Sequence, residues 1–282
     1  MLKTFSIAPN RRHWNNIDKF MLQSVRQLHG KTLRTSDGEI GHVKDFYFND
    51  QQWAVRYVIA DTGSWLSGRL VLISPHAFGE FHEDKDCLLV NLTRQQIENS
   101  PAIESDKPVS RQYEEEYNHY YGWPSYWVGG GMWGVGAFPA SDPMAVKETS
   151  VDRNAHQSSG DPNLRSTQAL NGYHIETSEG AVGHVTDFMM DDKSWTICFL
   201  VVETGHWFSG KEIVIPPKQI DSISYWESKV FVNASREAIR QAPEYHVPLL
   251  GAAVNGAGSV SRISRTQSQH FEKNMSERQI LR

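Results

Sequence analysis

The stretch Gly30-Lys31-Thr32-Leu33-Arg34-Thr35-Ser36-Asp37-Gly38-Glu39-Ile40-Gly41-His42-Val43-Lys44-Asp45-Phe46 returns as Gly172-Tyr173-His174-Ile175-Glu176-Thr177-Ser178-Glu179-Gly180-Ala181-Val182-Gly183-His184-Val185-Thr186-Asp187-Phe188, at a constant offset of 142 residues. The offset holds without a gap from Leu28 against Leu170 to Pro101 against Pro243. Within it, Thr62-Gly63-Ser64-Trp65-Leu66-Ser67-Gly68-Arg69 faces Thr204-Gly205-His206-Trp207-Phe208-Ser209-Gly210-Lys211. The chain therefore contains one domain twice, and any fold must accommodate that repeat first.

Each copy reads as short strands separated by turns. Ser36-Asp37-Gly38 and Ser178-Glu179-Gly180 supply hairpin-turn chemistry. Trp53–Ala60 is rich in β-branched and aromatic residues, and its counterpart Trp195–Val202 is more uniformly apolar, so both read as central strands. Leu70–Ile73 and Glu212–Ile215 read as strands ended by Pro75 and by Pro216-Pro217, since proline cannot donate to a ladder. A hairpin return through Leu88–Asn91 and Val230–Asn233 is expected, followed by short helices at Arg94–Asn99 and Arg236–Gln241. Thr93 and Gln96 fit a capping box, and Pro101 and Pro243 lie just beyond the helix ends. So many strands in so short a unit close most economically into a small barrel, which removes most free edges.

The L-x-G, S-D-G-x-x-G and W-L-x-G-R-x-V-L-I elements, read in Gly30–Asp50 and Asp61–Pro75, resemble a PRC-barrel domain. The second copy resembles one too. The resemblance implies two tandem small all-β barrels; with the short helix read after each and the aromatic, Gly-rich connector that the barrels do not explain, the chain is expected to be mainly β. It divides the chain into an N-terminal extension (1–19), a first barrel (20–105), the connector (106–161), a second barrel (162–248) and a disordered tail (249–282). Relatives of this kind, the cytoplasmic part of the photosynthetic reaction-centre H subunit and the C-terminal barrel of ribosome maturation factors, work by docking to other macromolecules. The proton-path residues of the reaction-centre subunit have no spacing that aligns here, so no functional residue is carried over from it.

Composition bounds the alternatives. At 282 residues, 39% hydrophobic and 22% charged, the chain is long enough for two modest globular domains. A net charge of −5 with no basic patch disfavours nucleic acid. Cys87 and Cys198 are too few for a disulfide framework, which suits a reducing, cytoplasmic setting. The N-terminus reads as neither secretory signal nor anchor, and the longest apolar run, Ile197–Val202, is strand-sized rather than membrane-spanning.

Three groups of residues invite chemistry. His42 and His184 stand three positions before Asp45 and Asp187. In an unbroken strand, positions i and i+3 face opposite ways, so a structural role is favoured over a metal or acid–base site. The loops holding Trp65, Gly68 and Arg69, and Trp207, Gly210 and Lys211, could cradle a phosphate, but no helix N-terminus follows them. They read as fold signature. Cys87 aligns with Lys229 and Cys198 with Arg56, so the thiols form no duplicated site. No cofactor, metal or catalytic residue is expected, and the chain reads as a non-enzyme.

The connector is the unusual part. From Ser110, a good N-cap, Tyr113, Tyr117, Tyr120 and Tyr121 fall on one helical face, with Glu114, Glu115 and Glu116 mostly opposite. The window Tyr120–Ser141 carries no charge, holds six glycines and two prolines, and includes Trp123, Trp127 and Trp133. It makes a poor spanning helix. Three readings stay open for it: collapse onto a barrel, a protein-docking strap, or a peripheral membrane contact. Ser141–Arg165 and the residues after Gly251 read as mobile.

The expectation is a cytoplasmic, non-catalytic adaptor or assembly factor. Its anchors would be Tyr113, Tyr117, Tyr120, Trp123, Trp127 and Trp133, the residue types that dominate interface energies. Self-association of the barrels is a further expectation. The rivals are an enzyme binding a small molecule or metal through the repeated His and Trp loops, and an RNA- or ribosome-associated factor.

Overall fold

The structure is a computed structural model and describes residues 22–79, 87–101, 109, 111–134, 136–139, 163–205, 210–242 and 244–245. The N-terminal extension, Ser110, Trp207, most of the Ser141–Arg165 stretch and the tail lie outside the described residues.

In chain order the first repeat contributes β1 (Leu22–Ser24), α1 (Val25–Leu28), β2 (Thr32–Thr35), β3 (Gly38–Asn49), β4 (Ala54–Asp61), β5 (Leu70–Ile73), β6 (Cys87–Leu89) and α2 (Arg94–Glu98). The connector carries α3 (Arg111–Tyr121). The second repeat contributes β7 (Leu164–Ser166), α4 (Thr167–Leu170), β8 (His174–Thr177), β9 (Gly180–Asp191), β10 (Ile197–Thr204), β11 (Glu212–Ile215), β12 (Ile220–Ser224), β13 (Lys229–Val232) and α5 (Arg236–Gln241). Leu164 and Arg165, read from sequence as the end of a mobile stretch, are thus the start of a strand.

Among the described residues the protein is mainly β, with two sheets and a few short helices. One sheet runs β5-β4-β3-β2-β6 and the other β11-β10-β9-β8-β13-β12. The expected hairpin return through Val230–Asn233 forms, with β12 as its first strand, and in the first repeat Phe78 and Val90 make the corresponding antiparallel bridge. The return strand also lies parallel to the first strand of its repeat: β6 to β2, through Thr32↔Cys87 and Leu33↔Leu88, and β13 to β8. The chain reaches that position through a turn at Pro75–Ala77 or Pro217–Gln219, after which Phe78 bridges Val90 and β12 pairs with β13. Proline ended the strand as expected, but it also turned the chain across the sheet.

The central strands start after Trp53 and Trp195, not at them. Both tryptophans adopt left-handed backbone, φ 56° and 57°, which an extended strand cannot contain. Immediately beyond them, Ala54 bridges Thr196, Val55 N donates to Trp195 O (2.8 Å) and Ile197 N donates to Trp53 O (2.7 Å). Ala54 and Thr196 are repeat counterparts, and the Val55–Trp195 bond is the counterpart of the Ile197–Trp53 bond, so a pseudo-two-fold axis passes between Ala54 and Thr196.

About that axis the repeats exchange their first strands. β1 pairs with β9 (Leu22↔Asp191, Ser24↔Met189), and β7 pairs with β3 (Leu164↔Asn49, Ser166↔Tyr47). One hydrophobic core runs through both repeats, from Val25, Phe46 and Phe48 to Phe188, Met190 and Leu200. The Phe48 and Phe188 rings lie 5.8 Å apart across the boundary. Burial on both sides of that boundary couples the repeats into one body.

One glycine pair is required by packing. A Cβ at Gly41 would meet Asp61 O at 2.0 Å, and one at Gly183 would meet Glu203 O at 2.2 Å. Any side chain there would force the paired strands apart.

Candidate docking surface

The repeated polar residues are used inside the fold. Asp45 is buried; it accepts hydrogen bonds from Ser166 Oγ, from Thr167 Oγ1 (3.0 Å) and from Gln168 N (3.1 Å). Its counterpart Asp187 accepts from Ser24 Oγ (2.5 Å) and Arg26 N (2.9 Å). Each carboxylate thus holds the first turn of the short helix that enters from the other repeat, where free N–H groups favour an anion.

His42 and Asp45, expected on opposite faces of an unbroken strand, lie on the same face of β3. Val43 pairs with Ala60 and Asp45 with Ile59, so Lys44 is an inserted bulge residue; Thr186 is its equivalent in β9. The bulge resets the alternation and returns His42 and Asp45 to one face. They still do not meet, because Asp45 is covered by α4 and His42 is exposed beside Asp61. In the second repeat, His184 Nε2 lies 3.7 Å from Glu203 Oε2 at the surface. Among the described residues no cluster of three His, Cys, Asp or Glu side chains is placed to hold a metal ion.

The Trp–Gly loops also find a use. Arg69 donates to Glu98 O (3.0 Å), Ser100 O (2.6 Å) and Pro101 O (3.2 Å), closing the C-terminal end of α2. Lys211 Nζ donates to Arg240 O (2.9 Å) and to Ala242 O at the end of α5. A cation is favoured at a helix C-terminus. Gly68 and Gly210 precede these residues at φ 76° and 60°, and Trp65 is half-buried with the Arg94 guanidinium 4.5 Å from its ring centre. Charge that a phosphate cradle would need is thus committed to helix ends.

Cys198 is the bulge residue of β10, between the pairs Ile197↔Met190 and Phe199↔Met189. Burial, with Asp191 nearby, pushes its thiol up to about 12, which makes it a poor nucleophile. The equivalent bulge in β4 is Arg56, between Phe48↔Val55 and Tyr47↔Tyr57. A bulge re-aims its side chain, and here the guanidinium leaves the strand's alternation to meet the connector. Arg56 is fully buried: it donates to Met132 O (2.8 Å) and Gln52 Oε1, and lies over Tyr126 (3.9 Å) and Trp133 (4.7 Å). Two aromatic faces around a desolvated cation make this the central fastening of the connector.

The tyrosine helix packs beside it. Tyr113, Tyr117 and Tyr121 contact one another ring to ring, and Tyr117 is wholly buried. Its hydroxyl donates to Leu72 O (3.0 Å) and accepts from Ser74 N (3.0 Å), so it satisfies the outer edge of β5. Tyr113 donates to Pro101 O (2.9 Å) and Tyr120 to Gln96 O (2.9 Å). Glu114, expected on the solvent side, is instead buried. Its Oε1 accepts from Tyr57 (2.9 Å) and Tyr126 (2.8 Å), and its Oε2 pairs with Arg111 (3.1 Å). Burial drives the Tyr57 and Tyr117 hydroxyls well above their ordinary range, so both stay protonated and able to donate.

The tryptophans complete the cover. Trp123 stacks on His76 (5.8 Å), Trp127 lies 4.0 Å from the Arg111 guanidinium, and Trp133 Nε1 donates to Ser194 O (2.9 Å) of the second repeat. Of the six expected anchors, Tyr117, Trp123 and Trp133 are buried in this contact, Tyr113 and Trp127 are half-buried, and Tyr120 is 41% exposed. Among the described residues the other large exposed apolar side chains are Val128 (38%), Phe138 (57%) and Trp226 (101%). Sequence reasoning passed over Trp226 because its repeat equivalent, Asp84, gives no matching signal.

No helix among the described residues is long and apolar enough to cross a membrane. Compared with known families, residues 23–97 and 170–239 both match the PRC-barrel domain. The two segments together span slightly more than half of the chain. A comparison with curated proteins returns no match.

Proposed function

The chain belongs to the PRC-barrel domain family, in two tandem copies, and on that premise we propose that it is a non-catalytic, cytoplasmic adaptor or assembly factor that docks onto a protein partner. PRC-barrel domains typically mediate protein interactions and are typically non-enzymatic. Each sheet, with the Pro-containing turn that carries β5 or β11 across it, is taken as the small barrel of that family. The observation that carries the proposal is the commitment of the repeated polar residues to the scaffold. Asp45 and Asp187 hold exchanged helices, and Arg69 and Lys211 close helix ends. What this rigid body offers a partner is the outer side of the connector, where Tyr120 and Val128 are exposed and Trp127 is half-buried. Aromatic side chains on a preorganised support are effective anchors, because little conformational freedom is lost on binding.

The test is crosslinked capture with the full chain, comparing it with Tyr120→Ala and Val128→Asp variants of unchanged melting temperature. Loss of one specific protein from both variants supports the connector as the docking face. Equal capture by all three rejects it and moves the search to the barrel surfaces. Replacing Trp123 or Trp133 would not discriminate, because both are part of the packed interior.

A further inference from the structure

Among the described residues, two pieces of apolar surface lie outside the packed core, one concave and one convex. The concave piece is a cavity of about 650 Å³ where the connector meets the β9–β10 turn. Gly129, Gly130 and Gly131 form one wall, with Met132, Phe138 and the turn residues Ser194 and Thr196 around it. Its size falls within the roughly 300–1,000 Å³ common for binding pockets. The lining holds no ionisable side chain, and its two hydroxyls are engaged: Ser194 donates to Asp191 and Thr196 to the Met132 sulfur (3.1 Å). The glycines leave the wall as bare backbone, against which a flat ring can lie closely. Their packing is also what shapes the wall, since a Cβ at Gly131 would meet Gly136 O at 2.6 Å, while one at Gly130 would meet nothing.

The convex piece is Trp226, at the turn between β12 and β13 and 101% exposed. It stands on a firm base. Its neighbour Tyr225 donates to Asp50 (2.7 Å) and lies under the Arg165 guanidinium (4.1 Å), so the indole projects from a turn tied to the first repeat. The exposed charges are of opposite sign: Glu227 flanks Trp226, and at the cavity Lys193 is the exposed charge of a turn whose Asp191 is buried and whose Asp192 is half-buried.

We propose that the chain self-associates by seating Trp226 of one copy in the glycine-walled cavity of a second copy, with Glu227 beside Lys193 across the contact. A neutral ring suits a lining without charge, and the flanking ions set orientation and suppress wrong registers. Because the two surfaces differ, the contact is heterologous, and copies add head to tail unless the geometry closes them into a ring. It uses Trp226 and leaves Tyr120 and the strand exchange inside each chain untouched, although Val128 of the proposed partner contact adjoins the cavity at Gly129.

The test is sedimentation of the full chain over a wide concentration range, with the same measurement on single variants. The expected result is an average mass that rises with concentration in the intact chain and stays monomeric in Trp226→Ala. Gly130→Glu, which has open space for its side chain, is expected to stay monomeric with an unchanged melting temperature. Lys193→Glu and Glu227→Lys are each expected to weaken association, and the double reversal to recover it. A monomer at every concentration overturns the proposal, as does undiminished association in Trp226→Ala. If Gly130→Glu loses capture of another protein while the intact chain is monomeric, the cavity has a different occupant and the proposal fails.

Discussion

Asp45 and Asp187, repeat counterparts 142 positions apart, each hold the helix that leads into the other's repeat. The tie is reciprocal. α1, at the head of the first repeat, is held by the second, and α4, at the head of the second, is held by the first. The repeats are therefore neighbours joined by exchanged parts, not beads on a string.

Replacing either carboxylate should loosen both repeats. Asp45→Ala leaves the Gln168 N–H and the Ser166 and Thr167 hydroxyls without their buried acceptor, and hydrogen bonds to a charged group contribute about 1.5–3 kcal/mol each. The expected loss is about 2–4 kcal/mol in equilibrium denaturation, with Asp187→Ala similar. Both sheets should unfold in one transition. Separate transitions for the two repeats would contradict the coupling.

Arg56→Leu should release the connector while leaving the sheets folded. The substitution removes the cation between Tyr126 and Trp133 and the bond to Met132 O, for an expected cost of about 2–3 kcal/mol. Arg56→Lys should recover little, because an ammonium cannot stack between two rings while donating in the guanidinium plane. Limited proteolysis checks both expectations: cleavage between Tyr121 and Phe138 should accelerate in each variant, with the repeats surviving as resistant fragments.

Tyr117→Phe isolates one hydroxyl with almost no change in shape. It leaves the buried Ser74 N–H without its acceptor, at an expected cost of about 1–3 kcal/mol. Hydrogen exchange at Ser74 should rise more than exchange in β4, since the edge strand opens first. Equal acceleration throughout the sheet would show that the effect is global.

Alkaline pH should undock the helix. Burial raises Tyr57 and Tyr117 well above the ordinary tyrosine value near 10 and Tyr121 to about 12. Above pH 10 the unfolded chain loses these protons while the folded chain keeps them, so the unfolded state binds fewer and stability falls as pH rises. Stability from this source is complete below about pH 10 and declines from there through about 12. Tyrosinate absorbance should appear late, together with loss of near-ultraviolet dichroism. Early titration of every tyrosine near 10 would mean the stripe is open to water.

Gly41→Ala should be among the most damaging small substitutions. Its Cβ would sit 2.0 Å from Asp61 O on backbone with φ 126°, so β3 and β4 must separate locally. The expected loss is about 3 kcal/mol or more, against less than about 1 kcal/mol for Gly130→Ala, which meets open space. Thermal melts of the two variants check the contrast.

Much of the architecture was legible in the residues, and the misses share a cause. The capping box at Thr93 and Gln96, α5 at Arg236–Gln241 and the strands Leu70–Ile73 and Glu212–Ile215 form where their local chemistry put them. Bulges did not announce themselves. Lys44 reset the face shared by His42 and Asp45, and Arg56 turned a strand residue into the clasp of the connector. A bulge is one unpaired residue whose position depends on the partner strand, so alternation along a single strand does not reveal it. Glu114 was misplaced for a related reason: the hydroxyls that make its burial tolerable come from Tyr57 and Tyr126, remote from one another in sequence.

The residues alone determined that one domain occurs twice, that both copies are β-rich, and where most strands and turns begin, because turn chemistry and side-chain period act over a few positions. Which strand pairs with which was decided only in three dimensions. Leu22–Ser24 meets β9 and Leu164–Ser166 meets β3, yet β3 and β9 carry nearly the same motif, so either pairing satisfies the same hydrogen bonds. The choice between them, like the folding of the connector's charge-free stretch against the repeats, rests on which arrangement buries both repeats and the connector together. No local stretch of sequence contains that sum.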